Sequence, residues 1–294
     1  MQKRFLIFLI WVLLLAAIFF LPLSRLVAAS LQAGYSSHIV LIPFIAAYLV
    51  WAEKSRIFAS CKYCLGAGIT SGLLGVIAGI SARLLAVPAA VPFLTVLSAL
   101  LLLVAGFLAL FGPEPLRRSL FPASLLVLVL PVPSVVVDKV IFLLQSGSAR
   151  LSEAIFSILG VPVLRNGFFL SLPGVTIEVA EECSGINSSI ALFIITLLFA
   201  HETLKSNVRR ALLVLLILPL SILKNAIRIV TLTLLATKVD PGFLTGRLHH
   251  QGGFVFFLIT LAIAYPIWKL LRAGEQPTVP VPGTETATAI SNFD

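Results

Sequence analysis

The stretch Val179-Ala180-Glu181-Glu182-Cys183-Ser184-Gly185-Ile186-Asn187-Ser188-Ser189-Ile190 leads directly into the apolar run 191–200. It sets one cysteine, beside two acids and a glycine, at the entry to a hydrophobic segment. A free thiol has a pKa of about 8.5 and needs a nearby cation or a helix N-terminus to ionise at neutral pH. The helix predicted after Cys183 would supply its dipole, whereas Glu181 and Glu182 oppose ionisation. Cys183 is therefore a candidate nucleophile at a membrane surface, and the alternative is a small buried apolar residue.

The composition is that of an integral membrane protein. Of the 294 residues, 59% are hydrophobic and 11% are charged, whereas soluble domains carry about 25% charged residues. Apolar runs of about 20 residues, the length that a helix needs to cross a bilayer, recur along the chain and favour helices over a barrel. We therefore predict an all-α polytopic bundle of about eight transmembrane helices. The predicted spans are 5–23, 36–52, 64–86, 90–112, 119–137, 184–201, 208–237 and 252–271.

The basic residues divide unequally between the two predicted sides of the membrane. With Lys3 and Arg4 in the cytoplasm, twelve Lys and Arg residues fall on short inner segments and seven on longer outer ones. This distribution follows the positive-inside rule, so we predict that both termini are cytoplasmic and that Cys183 opens the sixth span on the outer face. Topology accounts for the net charge of +9, and no nucleic-acid partner is expected.

The domain organisation predicted from hydropathy is simple. Residues 1–272 form a single multi-spanning membrane domain, and residues 273–294, rich in Pro, Thr and Ala, form a disordered cytoplasmic tail. Pro43 and Pro219 fall within predicted spans, where a missing backbone N–H predicts a kink.

The segment before Cys183 combines an interfacial helix with a hairpin. Residues 135–160 alternate apolar runs with charged and polar residues, which is typical of an amphipathic helix at the membrane interface, with Gly147 as the point where it would break. Two β-prone runs around Pro173-Gly174 predict a hairpin at 168–179 that delivers the chain to Cys183.

The cysteines exclude two classes of site. Three cysteines are too few for a disulfide framework, and the lone Cys61-x-x-Cys64 pair has no second pair to complete a zinc site. We therefore expect no metal and no cofactor. A thiol redox role is a weak alternative, because Cys61 and Cys64 are predicted on the cytoplasmic side, across the membrane from Cys183.

The seventh predicted span carries charges in its outer half. Lys224 and Arg228 are four residues apart and so share one helical face, with Asn225 one turn before Arg228. A charge within a bilayer costs at least ~2.5–3.5 kcal/mol, so these cations must face protein, water or a polar ligand. The Arg228 guanidinium could stabilise an oxyanion or bind a backbone carbonyl. Alternatively, the cations pair with an acid: Glu178, Glu181, Glu182 or Asp240.

Two adjacent histidines stand at the outer mouth of the eighth predicted span. His249 and His250 can exchange protons near neutral pH, although each alone is more typical of an interfacial residue with a satisfied hydrogen bond. The positive-inside topology puts them on the same side as Cys183 and Arg228. Cysteine with histidine is the usual combination of nucleophile and base.

Three blocks in this order resemble the signature motifs of the exosortase/archaeosortase family. They are Glu182-Cys183-Ser184-Gly185-Ile186, Asn225-Ala226-Ile227-Arg228-Ile229, and His249 ahead of Gly252-Gly253. The upstream Ser37-His38-Ile39-Val40-Leu41-Ile42-Pro43 is similar to an early motif of the family. The resemblance in motif order and number of spans extends from about residue 35 to 272.

The resemblance implies a membrane-embedded cysteine protease or transpeptidase. Its partners would be exported proteins that end in a sorting signal made of a short motif, a hydrophobic helix and a basic cluster, presented from membrane lipid. The family motifs imply these roles: Cys183 as nucleophile, Arg228 as transition-state stabiliser, His249 (His250 as the alternative) as acid and base, and Glu182, Asn187 and Asn225 as substrate-binding residues. Position 187 departs from the family, which commonly has Arg there. The implied location is the plasma membrane of a prokaryote, with the active site outside.

Other classes of membrane protein are consistent with parts of the sequence. A transporter or channel could use the intramembrane Lys224 and Arg228 to line an anion path, although no pair of matching halves is apparent. A non-catalytic assembly subunit would tolerate substitution at Cys183. The sequence leaves the oligomeric state, the sorting motif and the choice between hydrolysis and transfer open.

Overall fold

The structure is a computed structural model that describes residues 1–33, 38–85, 87, 90–180, 185–244 and 253–275. It is predominantly helical, with one small sheet. The α-helices are α1 Gln2–Ile18, α2 Phe20–Ala33, α3 His38–Ala52, α4 Lys54–Ile57, α5 Leu65–Leu84, α6 Val91–Phe111, α7 Pro113–Arg118, α8 Leu120–Leu125, α9 Ser134–Ile158, α10 Ile186–Thr203, α11 Asn207–Leu215, α12 Ile217–Lys238 and α13 Gly253–Ala273. Short 3₁₀ helices cover Leu126–Val129 and Pro241–Leu244, and the strands are β1 Leu164–Asn166, β2 Phe169–Leu172 and β3 Val175–Glu178.

The apolar helices confirm a polytopic all-α membrane bundle. Five helical segments in the described part are long and apolar enough to cross a bilayer, and up to seven if each of two bent pairs is one span. The shorter helix α3 is also apolar. Six of the predicted spans coincide with an apolar helical segment, whereas 5–23 and 119–137 each run across a break between two helices, bent by 68° and 94° respectively. The count of eight spans stays a prediction.

The chain divides into two compact units, Met1–Leu143 and Leu144–Asp294. The first is built around the pair α5 and α6, which approach closely because α5 presents small residues to α6. A Cβ placed on Gly68 would lie 2.8 Å from the Cβ of Ala109. Two interhelical hydrogen bonds close the contact, from Ser71 Oγ to the Leu101 carbonyl at 3.0 Å and from Ser98 Oγ to the Gly75 carbonyl at 2.8 Å. Small residues and hydroxyls are the usual means of joining membrane helices, where no hydrophobic effect drives them together.

Helix α1 covers the other side of α6. Trp11 Nε1 donates to the Leu102 carbonyl at 2.9 Å, and the indole ring lies directly over Gly106, which has no side chain to obstruct it. At the end of α6 lies an aromatic cluster of edge-on and tilted rings: Phe5, Phe8, Phe58, Phe107 and Phe111. These contacts give the first unit its core.

The second unit is organised around α12. Half of the apolar window of its span is buried, against 11 to 22% for the four other single spans. Helix α9 packs on α12 through Gly147, where a Cβ would lie 2.8 Å from Ile222 Cδ1. A larger residue at position 147 would therefore require the Ile222 side chain to shift.

The three strands form an antiparallel sheet in the order β1-β2-β3. Pro173 and Gly174 make the turn between β2 and β3, and Gly174 takes a φ of +84°, which glycine adopts without strain. Leu170 and Leu172 are buried on one face of β2, where they join a core with Phe156 of α9 and Ile229 and Val230 of α12. The sheet is thereby fixed to the same two helices that carry the candidate site.

The C-terminal end of α10, opposite Gly185, is followed by basic residues and is held by hydrogen bonds. Arg210 donates to the carbonyls of Leu204 at 2.8 Å and His201 at 3.0 Å, the last turn of α10, where a cation also complements the helix dipole. The Glu275 carboxylate accepts the backbone N–H groups of Lys205 and Ser206, and these bonds lower the pKa of Glu275.

Two features of the helices differ from the prediction. Helix α9 runs from Ser134 to Ile158 without a break at Gly147, because Ile222 fills the space beside that glycine. The long seventh span consists of α11 and α12, and the break at Leu216, three residues before Pro219, replaces a kink at the proline itself with an interruption beside it. Pro219 thus sits in the first turn of α12, where a missing N–H costs little. The hairpin predicted at 168–179 is confirmed, and β1 was not predicted.

The domain boundaries stay a prediction. The single domain over residues 1–272 is not tested by the division into compact units, and residues 276–294 of the predicted tail lie outside the described part of the chain.

Candidate active site

Helix α12 buries the charged and polar residues that the sequence singled out. Lys224 is 4% exposed and Asn225 is 1% exposed, and Arg228, one turn further on, is half-buried. The two cations lie on one helical face and repel each other, since like charges four residues apart are destabilising. This face therefore favours a negatively charged or strongly polar group in front of it.

Asn225 is held by α9. Its Nδ2 donates to the Oγ of the fully buried Ser148 at 3.1 Å. Its Oδ1 is buried and has no hydrogen-bond partner within the described residues. That oxygen lies 3.6 Å from the position that a Cβ on Gly185 would take. Asn225 thus presents a buried acceptor beside the residue that follows the Cys183 block.

Lys224 ties α12 to the start of α10. Its Nζ donates a hydrogen bond to Ser188 Oγ in the first turn of α10. The same nitrogen lies 3.4 Å from the point that a Cβ on Gly185 would occupy. Gly185 has a φ of +75°, in the left-handed region, and begins α10. An ammonium group and an amide oxygen therefore converge on one glycine.

Both flanks of the segment that carries Cys183 are fixed by hydrogen bonds. Upstream, the Val179 carbonyl accepts from Gln145 Nε2 at 2.9 Å, and its N–H donates to the Phe168 carbonyl at 3.0 Å. Downstream, the Gly185 carbonyl accepts bonds from the hydroxyls of the next helical turn: Ser188 Oγ at 2.9 Å and Ser189 Oγ at 2.8 Å.

The structure describes three of the seven residues predicted for the site. Asn225 and Arg228 lie on α12 as described, and Asn187 is exposed on the first turn of α10. The remaining predicted residues lie outside the described residues: Glu182, Cys183, His249 and His250. Among the described residues, Asn225 and Lys224 of α12 lie against Gly185, which belongs to the motif that contains Cys183.

Sequence reasoning did not identify three residues that hold this arrangement together. Gln145 and Ser148 anchor the two blocks from α9, and Ser188 anchors Lys224 from α10. With Ser152, which donates to the Ala226 carbonyl at 3.5 Å, the α9 residues repeat at three and four positions. This repeat of polar residues at helical spacing was the available signal.

The similarity of the chain to known proteins agrees with these motifs. A family model described as Transmembrane exosortase (Exosortase_EpsH) matches residues 30–266, which is most of the chain. No curated protein and no solved structure matches it. Membership of this family indicates an enzyme of the membrane that processes protein sorting signals. With five to seven apolar spans, the chain is a multi-pass membrane protein, and it belongs to the transmembrane exosortase family.

Proposed function

We propose that this exosortase is a cysteine peptidase or transpeptidase that removes a C-terminal sorting signal from exported proteins. The signal would consist of a short motif, a transmembrane helix and a basic cluster. The observation that carries the proposal is the contact of Lys224 and Asn225 with Gly185. It joins the helix of Arg228 to the residue two positions after Cys183.

The chemistry would follow the usual course of a thiol nucleophile. The Cys183 sulfur attacks the scissile carbonyl, and the carbonyl oxygen becomes an oxyanion that Arg228 stabilises. His249, or His250 as the alternative, takes the thiol proton and delivers it to the leaving amine, so the C–N bond breaks and a thioester remains. Water then gives hydrolysis, whereas an amine or another nucleophile gives transfer. Each step uses side chains alone and requires no metal.

Substrate contacts are proposed for the polar residues around this centre. Glu182, Asn187 and Asn225 would contact the sorting motif, and the exposed side chain of Asn187 supports such a role. The interfacial part of α9 and the hairpin of β2 and β3 would form a platform for the peptide. The substrate helix would approach from membrane lipid, because the sorting signal itself is a membrane segment.

The orientation proposed for the site is outward. Helix α10 has 18 residues and is therefore about 27 Å long. Gly185 lies at its start, and the cluster of Arg209 and Arg210 lies beyond its end. Basic residues favour the cytoplasmic side, so the Gly185 end would face outward and both termini would be cytoplasmic. The location proposed is the plasma membrane of a prokaryote.

The test is co-expression with an exported protein from the same genome that ends in such a signal. With the unaltered enzyme, we expect loss of a C-terminal fragment, detected as a change in gel mobility. Cys183→Ala should abolish the cleavage and leave the enzyme inserted. The double variant Cys61→Ser with Cys64→Ser is the matched control and should process normally. Processing by the Cys183→Ala enzyme would refute the proposal.

Arg228 is tested in the same assay. Arg228→Lys keeps the positive charge but loses the planar fork of the guanidinium, so we expect processing to fall severely while expression and insertion are unchanged. Processing at the unaltered rate would assign Arg228 a structural role.

A further inference from the structure

A groove in the first unit lies between α1, α5 and α6 and has a volume of about 300 Å³. Apolar side chains and glycines line it, among them Ile7, Trp11, Gly68, Gly72, Ala105 and Leu110. On α6 the lining runs from Leu102 to Leu110, which is about 12 Å at 1.5 Å per residue. An elongated apolar groove between membrane helices is suited to a hydrocarbon chain.

Two cations of α1 lie at one end of the groove. Lys3 and Arg4 precede the groove residue Ile7 by four and three positions, so they share its helical face. The Arg4 guanidinium donates at 3.3 Å to the carbonyl of Leu110, which belongs to the groove wall. It also lies 3.8 Å from the centroid of the Tyr63 ring. These contacts hold Arg4 at the end of the groove.

A third cation, Lys62, comes from the loop before α5. Its backbone N–H donates to the Phe111 carbonyl at 3.1 Å, which fixes Lys62 at the same end of α6. Lys3 and Lys62 are exposed. Among the residues that the structure describes, neither these two lysines nor Arg4 pairs with an acid. This end of the groove is therefore a site of uncompensated positive charge.

The charge decides which occupant the groove favours. The two acids nearest in sequence to this end are Glu53 and Glu114, and they pair with Arg56 and Arg118 instead. A second copy of this chain would bring the same cations, and the substrate helix of the proposed function ends in a basic cluster on the cytoplasmic side. Like charge opposes both of these occupants. An anionic phospholipid combines a hydrocarbon chain with the opposite charge.

We propose that this groove binds an anionic phospholipid, with an acyl chain along Gly68 and Gly72 and the phosphate against Lys3, Arg4 and Lys62. The planar fork of Arg4 matches phosphate geometry. The topology proposed above puts this end of the groove in the cytoplasmic leaflet, where anionic lipids attract basic residues next to membrane spans. The inference does not depend on the peptidase activity.

The test is native mass spectrometry of the purified full-length protein with phosphatidylglycerol and phosphatidylcholine of the same acyl chains as competing probes. We expect the unaltered protein to prefer phosphatidylglycerol. Lys3→Gln with Lys62→Gln should weaken phosphatidylglycerol binding about 25-fold, at about fivefold for each lysine, and change phosphatidylcholine binding little. The matched control is Lys54→Gln with Lys269→Gln, which removes two exposed lysines that do not line the groove and should keep the preference.

A second pair of variants tests the groove itself. A Cβ on Gly72 would lie 3.7 Å from Ala105 Cβ, an ordinary contact, so Gly72→Leu fills the groove without forcing the helices apart and should abolish the preference. Gly66→Leu is its control, because a Cβ there meets no atom within 4 Å. If Gly72→Leu does not insert, Ile69→Trp fills the groove from an exposed position of its wall.

Three results would overturn the inference. They are equal binding of the two lipids to the unaltered protein, a preference that survives in Gly72→Leu, and an equal loss of preference in the control variants. A dimer in the spectra that Gly72→Leu dissociates would assign the groove to a second copy of the chain and also overturn it.

Discussion

The contact between Ser148 and Asn225 allows one prediction to be worked through in detail. Ser148→Ala removes a hydroxyl at a site with no solvent exposure and leaves Asn225 Nδ2 buried without its acceptor. The backbone of α9 is unaffected, because Ala is a better helix former than Ser. The variant therefore isolates a single polar contact between α9 and α12.

The expected loss in free energy of unfolding follows from the environment of the lost hydrogen bond. A buried donor left without a partner costs about 1–3 kcal/mol, whereas hydrogen bonds between membrane helices average about 0.6 kcal/mol. Within the described residues, Ser148 is the partner of Asn225 Nδ2 and Oδ1 has none, so turning the amide over brings no described acceptor to Nδ2. We expect a loss of ~1–2 kcal/mol, which corresponds to a fall in Tm of about 3–6 °C.

The same helix supplies the control. Ser152 is also fully buried and faces α12, but its Oγ donates at 3.5 Å to the Ala226 carbonyl, an acceptor inside a helix. Ser152→Ala leaves no unsatisfied donor behind, so we expect a loss below ~0.5 kcal/mol. Both variants would be compared by thermal unfolding in detergent and by processing of substrate. A loss in Ser152→Ala equal to that in Ser148→Ala would refute the reasoning, since the two would then differ only in helix position.

Two further predictions concern the ends and the packing of the bundle. A Cβ on Gly68 would meet α6 at 2.8 to 3.1 Å, so Gly68→Ala should destabilise the first unit by ~1–3 kcal/mol, whereas Gly66→Ala, with no atom within 4 Å, should be neutral or stabilising in the same unfolding assay. The pKa of Glu275 is held below its ordinary 4.5 by the N–H groups of Lys205 and Ser206. Its contribution to stability is therefore present above pH 4.5 and lost as pH falls through the lowered pKa, so Glu275→Gln should lower Tm at pH 7 but approach the Tm of the unaltered protein in acid. A constant difference in Tm at all pH values would contradict this reasoning.

The sequence predicted those parts of the fold that depend on local chemistry. Pro173 and Gly174 fix their turn through their own backbone preferences, so the hairpin could be found without the rest of the chain. The burial of Lys224 and Arg228 followed from the cost of charge in lipid. Hydropathy also located the five long apolar helical segments, because a membrane imposes a minimum length on each of them.

The features that escaped prediction depend on residues distant in sequence. The absence of a break at Gly147 results from Ile222, 75 positions away, which occupies the space beside it. Strand β1 has only three residues, too few to show an alternating pattern, and Arg165 within it pairs with Glu153 of α9 at 2.7 Å. Ser188 gains its role only because α12 brings Lys224 to it. No local pattern in α10 carries that information.

The two fixed flanks of the Cys183 segment have a consequence for how the family can vary. Val179 and Gly185 are each tied to a helix, so five residues join two anchors that do not move with them. A substitution among residues 180–184 leaves the number of residues between the two anchors unchanged. An insertion or deletion there changes that number. We therefore expect residue types in the segment 180–184 to vary more readily than its length, both in evolution and in engineered variants.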